Sequence, residues 1–354
     1  MKAMNFGTER ETYEVKMKYS ILWEVALGIA AYTYPEIHHT LSNRTTYWND
    51  EEIELPEELK QELECVKKNN TWYAILQLLH LKEFETVEEF FQTTNGLSSE
   101  NFLHQCLPYI GSKYEISRKE ISMNRNKEVI KEWIESTKRH KYFSCYIDYL
   151  VKTEVEVLKL HLIKVFTLWY QYVVQAREKE FVRILKNDFT QKIRMKPSFE
   201  AVKFVEYVTN GIEYQPEPSI HHVLLIPQLI YRPWNLEMNL FDTKVFFYPV
   251  SDEHLSEEQN MTKPPELLIN AFKSLADETR LRILKQLSYD ELTLQELTNK
   301  MQIPKTTLHH HLSILRSAQI VKVSKSKYYL SEKNLNSLFK KAKQYLEMED
   351  SYEN

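Results

Sequence analysis

The sequence predicts a mainly α protein: an α-rich N-terminal domain with a small β-sheet, then a C-terminal domain of short helices closed by a basic hairpin. Three observations carry this expectation. Before residue 190, segment after segment places apolar residues at three- and four-residue steps, the period of a helix with one buried face. The chain has only five glycines, none after Gly211, so few residues accept positive φ cheaply and tight hairpins are disfavoured. Charge is also unevenly spread. The chain carries −4 overall, yet 266–347 hold 14 Lys+Arg against 8 Asp+Glu, and 300–343 hold 10 against 1. That asymmetry points to a polyanion-binding C-terminal part joined to an acidic, non-binding one.

At 354 residues the chain is long for one domain. The stretch SDEHLSEEQNMTKPPE (251–266) is polar and ends in Pro264-Pro265, which disfavours regular structure. The expected organisation is therefore a 1–250 sensing or assembly domain, a 251–265 linker, a 266–348 domain and a polar 349–354 tail. In the first domain Tyr13, Val15, Met17 and Tyr19 alternate like a strand, and YSILWEVALGIAAYTY (19–34) follows as a helix. Further helices are expected near 56–68, 71–82, 86–94, 126–140 and 145–188. The last carries Val155, Leu158, Leu162, Phe166, Trp169 and Val173 as a stripe. It reads as a central core helix, with a partner or dimer seam as the other reading. Residues 218–250 shift to short β-rich runs broken by Pro227, Pro233 and Pro249, the pattern of a small sheet.

After the linker, LLINAFKSL (267–275) is a short amphipathic helix. Asp277 is a good N-cap for the next, whose apolar face is Leu281, Ile283, Leu284 and Leu287. Thr293 and Glu296 make a T-x-x-E capping box. The break Gln302-Ile303-Pro304 leads to KTTLHHHLSILR, and IVKVSKSKYYL (320–330) reads as two strands round Ser324-Lys325-Ser326. Helix, helix, break, helix and basic hairpin is the order of a winged helix-turn-helix. One helix is about as wide as the major groove, and hairpin lysines can neutralise phosphates beside it.

The three histidines 309–311 fan out by about 100° each on a helix and cannot converge on one ion, so no metal site is expected there. Leu308, Leu312 and Leu315 define the buried stripe, with His311 on its edge, packing or bonding to the backbone. Lys305, Thr306, His309, His310, Ser313 and Arg316 point outward. The DNA-binding expectation is that Lys305, His309 and His310 reach bases while Thr306 and Thr307 bond phosphates. Arg316, Lys322, Lys325 and Lys327 fall on the helix or wing where phosphates would run, and outward-pointing Ser313 belongs to the same DNA-binding set.

SLADETRLRILKQL, ELTLQELTNKM and TTLHHHLSILRSAQIV resemble the ArsR-type winged-helix transcriptional repressors of bacteria, and the resemblance covers roughly residues 270–345. The resemblance implies a homodimer on palindromic operator DNA and repression relieved by an inducer. It also implies a dimer seam of the first and last helices, where Leu268, Phe272, Leu335, Leu338, Phe339, Ala342 and Leu346 form apolar faces. The N-terminal part is similar to long N-terminal regions of some Gram-positive members, with Tyr19-Ser20, Leu22 and Glu24 near its start. This chain departs from the family pattern at the turn, where Gln302 and Pro304 replace glycine and serine. Thr293 and Gln295 stand where metalloid sensors resemble one another in a cysteine pair, and the last helix lacks the histidine of zinc-type sensors. No familiar metal site is expected.

No catalytic residue and no cofactor is expected. Gly-rich phosphate loops, GxSxG and HExxH are absent. His38-His39, His221-His222 and the His104/Cys106 pair lack metal-ligand spacing and read as surface or core residues. Cys65, Cys106 and Cys145 are far apart without CxxC, which fits buried free thiols in a reducing cytoplasm. The N-terminus lacks the apolar core of a signal peptide, and Lys159, His161 and Lys164 interrupt the most apolar run. A cytoplasmic protein with no membrane partner is the expectation. The 22 Tyr and 6 Trp suit an aromatic core or a small-molecule effector pocket, one candidate being beside Arg232-Pro233-Trp234. Two other readings stay open: an enzyme carrying a winged helix for targeting or autoregulation, and a winged helix that binds protein.

Overall fold

The computed structural model describes residues 12–42, 48, 54–138, 140, 142–255, 264, 266–324 and 326–346. Lys325, most of the 251–265 stretch and the 349–354 tail therefore lie outside the described residues. The chain divides into two units, Met1–Val250 and Ser251–Asn354.

In the first unit Ser20 caps helix α1 (Ile21–Tyr32), its side chain accepting from the Leu22 amide. Nearly all of α1 is buried, Glu24 included, whose carboxylate accepts the amides of Leu229 at 2.5 Å and Ile230 at 3.3 Å. Gly28 is required by close approach: a Cβ there would sit 2.7 Å from Trp169 Nε1. Around α1 stand α2 (Glu57–Asn69), α3 (Trp72–Leu78), α4 (Val87–Gly96), α5 (Ser99–Cys106), α6 (Glu115–Asn124), α7 (Lys127–Thr137), α8 (Phe143–Lys152) and α9 (Val155–Trp169). α10 (Glu178–Met195) and α11 (Ala201–Val208) follow.

The single helix expected over 145–188 is instead α8, α9 and α10, with a π-turn over 170–174 and a 3₁₀ turn over 175–177. The first of these breaks is capped from a distance. Arg125, in the left-handed region at the end of α6, donates from its guanidinium to the carbonyls of Val151 and Thr153, both at 3.2 Å. Carbonyls satisfied from outside need no continuing helix. The stripe Val155, Leu158, Leu162, Phe166, Trp169 and Val173 is buried, as a core helix requires.

The sheet pairs β1 (Glu14–Met17), β2 (His222–Gln228) and β4 (Thr243–Pro249) in parallel, with β3 (Leu236–Asn239) antiparallel to β4, in the order β1-β2-β4-β3. Tyr13, Val15, Val223, Leu225, Phe246 and Tyr248 share one face and pack against Phe204, Val205 and Val208 of α11. Trp23 of α1 meets Phe247 on the other face at 5.4 Å. A sheet covered on both sides explains the near-continuous apolar run of β2. The isolated histidine groups serve local packing. His104 Nε2 lies 3.0 Å from Glu115, Cys106 is fully buried, and His222 pairs with Glu14 at 3.1 Å. Arg232 is wholly buried, and Trp234 Nε1 donates to Thr40 at 2.9 Å.

The second unit contains α12 (Glu266–Leu275), α13 (Glu278–Leu287), β5 (Leu292–Thr293), α14 (Leu294–Met301), α15 (Lys305–Ser317), β6 (Val321–Ser324), β7 (Lys327–Leu330) and α16 (Glu332–Tyr345). Its core joins Ile283, Leu284 and Leu287 of α13, Leu297 of α14, the α15 leucines and Tyr328 of the hairpin. The whole is mainly α with small sheets, ending in a winged helix-turn-helix. No helix among the described residues is long and apolar enough to cross a membrane.

Candidate nucleic-acid interface

The candidate surface is α15 and the hairpin after it. Its scaffold begins at Asp277, which caps α13 by accepting the Arg280 amide at 2.9 Å. That hydrogen bond, with the Arg280 charge, holds the Asp277 carboxyl below its ordinary value. Arg280 also ties α12 to α13 by donating to the carbonyls of Ser274 and Lys273.

α14 opens with the capping box. Thr293 Oγ1 accepts from the Glu296 amide at 3.3 Å, and Glu296 Oε2 accepts from the Thr293 amide at 2.7 Å. α14 ends at Gln302, with φ 58° and ψ 35°, whose amide donates to Thr298 O at 3.0 Å. A left-handed non-glycine residue costs about 1 kcal/mol. The Gln302 side chain offsets part of it by donating to Asn299 O at 2.7 Å.

Pro304 is the N-cap of α15 and no side chain caps the helix. The first amides of α15 have no acceptor within the helix, so its entry is an electropositive set of donors beside Lys305, Thr306 and Thr307. Leu308, Leu312 and Leu315 are buried at 1% exposure or less, which fixes the rotation of the helix. Lys305, Thr306, Thr307, His309, His310 and Arg316 are exposed and Ser313 is half-buried. Steps of three and four residues place Lys305, His309, Ser313 and Arg316 on one face. The histidines separate as geometry demands. His311 turns to the edge of the core, its Nδ1 3.7 Å from Asp277 Oδ1, and burial pushes its pKa down against the pull of that carboxylate. Among the described residues no three or more His, Cys, Asp or Glu side chains are arranged to hold a metal ion.

In the hairpin Lys322 pairs with Tyr329 and Ser324 with Lys327. Paired positions share a face, so Lys322 and Lys327 lie on one side and Val321 and Tyr328 on the other, against the core. Lys327 is exposed and Lys322 half-buried. Two features escaped sequence reasoning. β5 adds a third strand by pairing Leu292 with Tyr328 and Thr293 with Lys327, too short a strand to leave a periodic signal. Arg280 sits on a helix pattern that says nothing of its backbone acceptors.

The residues expected at a dimer seam divide in two. Leu268 and Leu338 are buried within this unit, with Leu335 and Ala342 packed against its core. Phe272, Phe339 and Leu346 are 39%, 49% and 60% exposed, and the two phenylalanine rings meet edge to face at 6.3 Å.

Residues 275–324 match a helix-turn-helix domain family. Over 74 residues the chain is 34% identical to the uncharacterized HTH-type transcriptional regulator MJ1325 of Methanocaldococcus jannaschii, covering 20% of this chain and 83% of that protein. The chain belongs to the ArsR-type helix-turn-helix transcriptional regulators. It is also 32% identical over 83 residues to a transcriptional repressor SmtB homolog of Synechocystis, 22% of this chain and 63% of that one. With the transcriptional repressor SdpR of Bacillus subtilis it shares 35% identity over 52 residues, 15% of this chain and 58% of that protein. The chain thus spans less than two thirds of the length of these two family members. No solved structure matches it.

Proposed function

We propose that the protein is a sequence-specific DNA-binding transcriptional regulator, acting as a homodimeric repressor on palindromic operator DNA. One observation carries the reading: the rotation of α15. Its leucines are spent on the core, while its uncapped N-terminus and outward face offer Lys305, Thr306, Thr307, His309 and His310 together. Lys305, His309 and His310 reach base edges, and Thr306 and Thr307 bond phosphates at the helix entry. Ser313, Arg316, Lys322, Lys325 and Lys327 follow the flanking backbone.

The exposed Phe272, Phe339 and Leu346 support a seam between two copies. Repression is supported by the names of two relatives. The first unit, far larger than the winged helix needs, senses a small-molecule effector or mediates assembly in the cytoplasm. No cofactor or resident metal enters this reading.

Fluorescence anisotropy of the full chain with duplex DNA from upstream of its own gene tests the proposal, run against scrambled duplex at several salt concentrations. Preferential binding to the upstream duplex, weakening steeply with salt, is the expected result. Equal affinity for both duplexes at every salt concentration, or none at low salt, overturns it.

A further inference from the structure

Helices α1, α2, α3, α4 and α5 pack against α9, and its stripe from Val155 to Trp169 is buried. What stays outside is a narrow strip on the opposite side, and its middle is apolar. Val157 is 54% exposed and Leu160 66%. At about 3.6 residues per turn, Glu156, Val157, Ile163, Lys164 and Thr167 all lie within about 60° of Leu160. Glu156 is exposed, while Ile163 and Thr167 are half-buried. The water-facing side of such a helix is ordinarily polar, so aliphatic residues one turn apart there mark a contact surface.

Charge selects what covers it. Glu156 stands four residues before Leu160 and Lys164 four after it. Glu156 gives one oxygen to Lys159 Nζ at 3.1 Å, and its side chain is 73% exposed. Lys164 Nζ meets Glu58 at 2.8 Å and Glu62 at 3.2 Å. Glu62 turns its other oxygen inward, 2.5 Å from His161 Nδ1. An ammonium has three donors, so Lys164 keeps one direction for a further carboxylate. When two copies of α9 lie antiparallel about a two-fold axis at Leu160, each Glu156 comes level with Lys164 of the partner subunit. A parallel pair would set carboxylate on carboxylate and ammonium on ammonium. Nucleic acid or an anionic membrane fits poorly, because Glu58, Glu154 and Glu156 stand exposed beside the strip.

We propose that the outer strip of α9 is a self-association surface, packing antiparallel on α9 of a second copy about a two-fold axis at Leu160. The leucines meet at the centre, Val157 and Ile163 flank them, and two Glu156–Lys164 pairs set direction and register. So narrow a strip works as a second contact between chains already joined, where linked sites meet at an effective concentration on the order of millimolar. For its strength the inference rests on the homodimer of the proposed function. The stripe that reads as a possible seam in the sequence is core, and the seam lies on the other side of the same helix.

The test cross-links single cysteines in the full chain. Cys145 is exposed and Cys65 half-buried, which corrects the expectation of three buried thiols, so both are first replaced by Ser while buried Cys106 is kept. Leu160→Cys is treated with a bis-maleimide that spans helix axes about 8–10 Å apart, and a covalent dimer is expected. Val157→Cys is expected to give roughly fivefold less, because the antiparallel pair sets the two copies of that position about six residues, ~9 Å, apart along the axis. Glu132→Cys, exposed on α7, is expected to give none. Glu156→Gln in the Leu160→Cys chain is expected to lower the yield roughly threefold at low salt, as loss of two exposed ion pairs would. No dimer at 160, or equal yields at 160 and at 157 or 132, overturns the proposal. Phe339→Cys, on the seam of the second unit, is run alongside. A dimer at 339 and none at 160 sinks this inference and leaves the homodimer standing. A dimer at 160 and none at 339 sinks the second unit's seam instead, and no dimer at either sinks both.

Discussion

α9 and α15 look alike as sequences and serve opposite ends. Each carries an apolar stripe at helical spacing, Val155 to Trp169 in one and Leu308 to Leu315 in the other, with Lys159, His161 and Lys164 within the first and His309, His310 and His311 within the second. In α9 the polar residues are consumed inside the fold. Lys159, 4% exposed, donates to the carbonyls of Asn95 and Leu97, and His161 spans Glu62 and Thr71. In α15, Lys305, Thr306, His309 and Arg316 stand exposed on one side. A histidine in a helix is thus uninformative until its acceptors are known, and those come from elements far away in sequence.

Substitutions can break the comparison. The largest effect belongs to the α9 stripe. Phe166→Ala empties a fully buried site and is expected to cost about 3–5 kcal/mol, read by urea denaturation of the first unit. Lys305→Ala on α15 should leave the urea denaturation of the second unit unmoved. If it unfolds the protein, the outward face is structural after all. Next comes His309→Ala, expected to lose about 1–3 kcal/mol of discrimination at a single base position with little change elsewhere. Uniform loss over all base variants in an anisotropy panel would move His309 to the phosphate path.

Glu62 sharpens the contrast through pH. Burial pushes its pKa up, but His161 and Lys164 outweigh it and hold the carboxyl below its ordinary value. A depressed folded-state pKa stabilises above the unfolded value, about 4.3, and that stability is lost as pH falls through the folded value. Glu62→Gln should therefore flatten the acid limb of the first unit's stability curve, measured by denaturant midpoints from neutral to acid pH. The smallest effect is Lys327→Ala. It should lower affinity slightly on every duplex and reduce the log–log salt slope by roughly 0.9, with specificity unchanged.

Local chemistry made the second unit readable. The Asp277 cap, the Thr293–Glu296 box and the α15 leucine stripe are local patterns a few residues long, so spacing alone announced them. The first unit was harder because its decisive contacts are distant. β1 pairs with β2 some 200 positions on, and Arg125 ends α8 from another helix. Glu62, Cys65, Tyr149 and His161 meet only in the fold, and no spacing rule joins them.

Thr293 caps α14 and, as part of β5, pairs with Lys327 at the tip side of the hairpin. The hairpin and the first turn of the helix-turn-helix thus share one peptide unit as a common pivot. A load applied at the hairpin reaches α14 through that pivot and α15 through the chain itself, since β6 follows α15 directly, and Gln302 sets the bend between the two helices. Hairpin, α14 and α15 are thus braced together at two places, so a twist imposed on one is felt by the others.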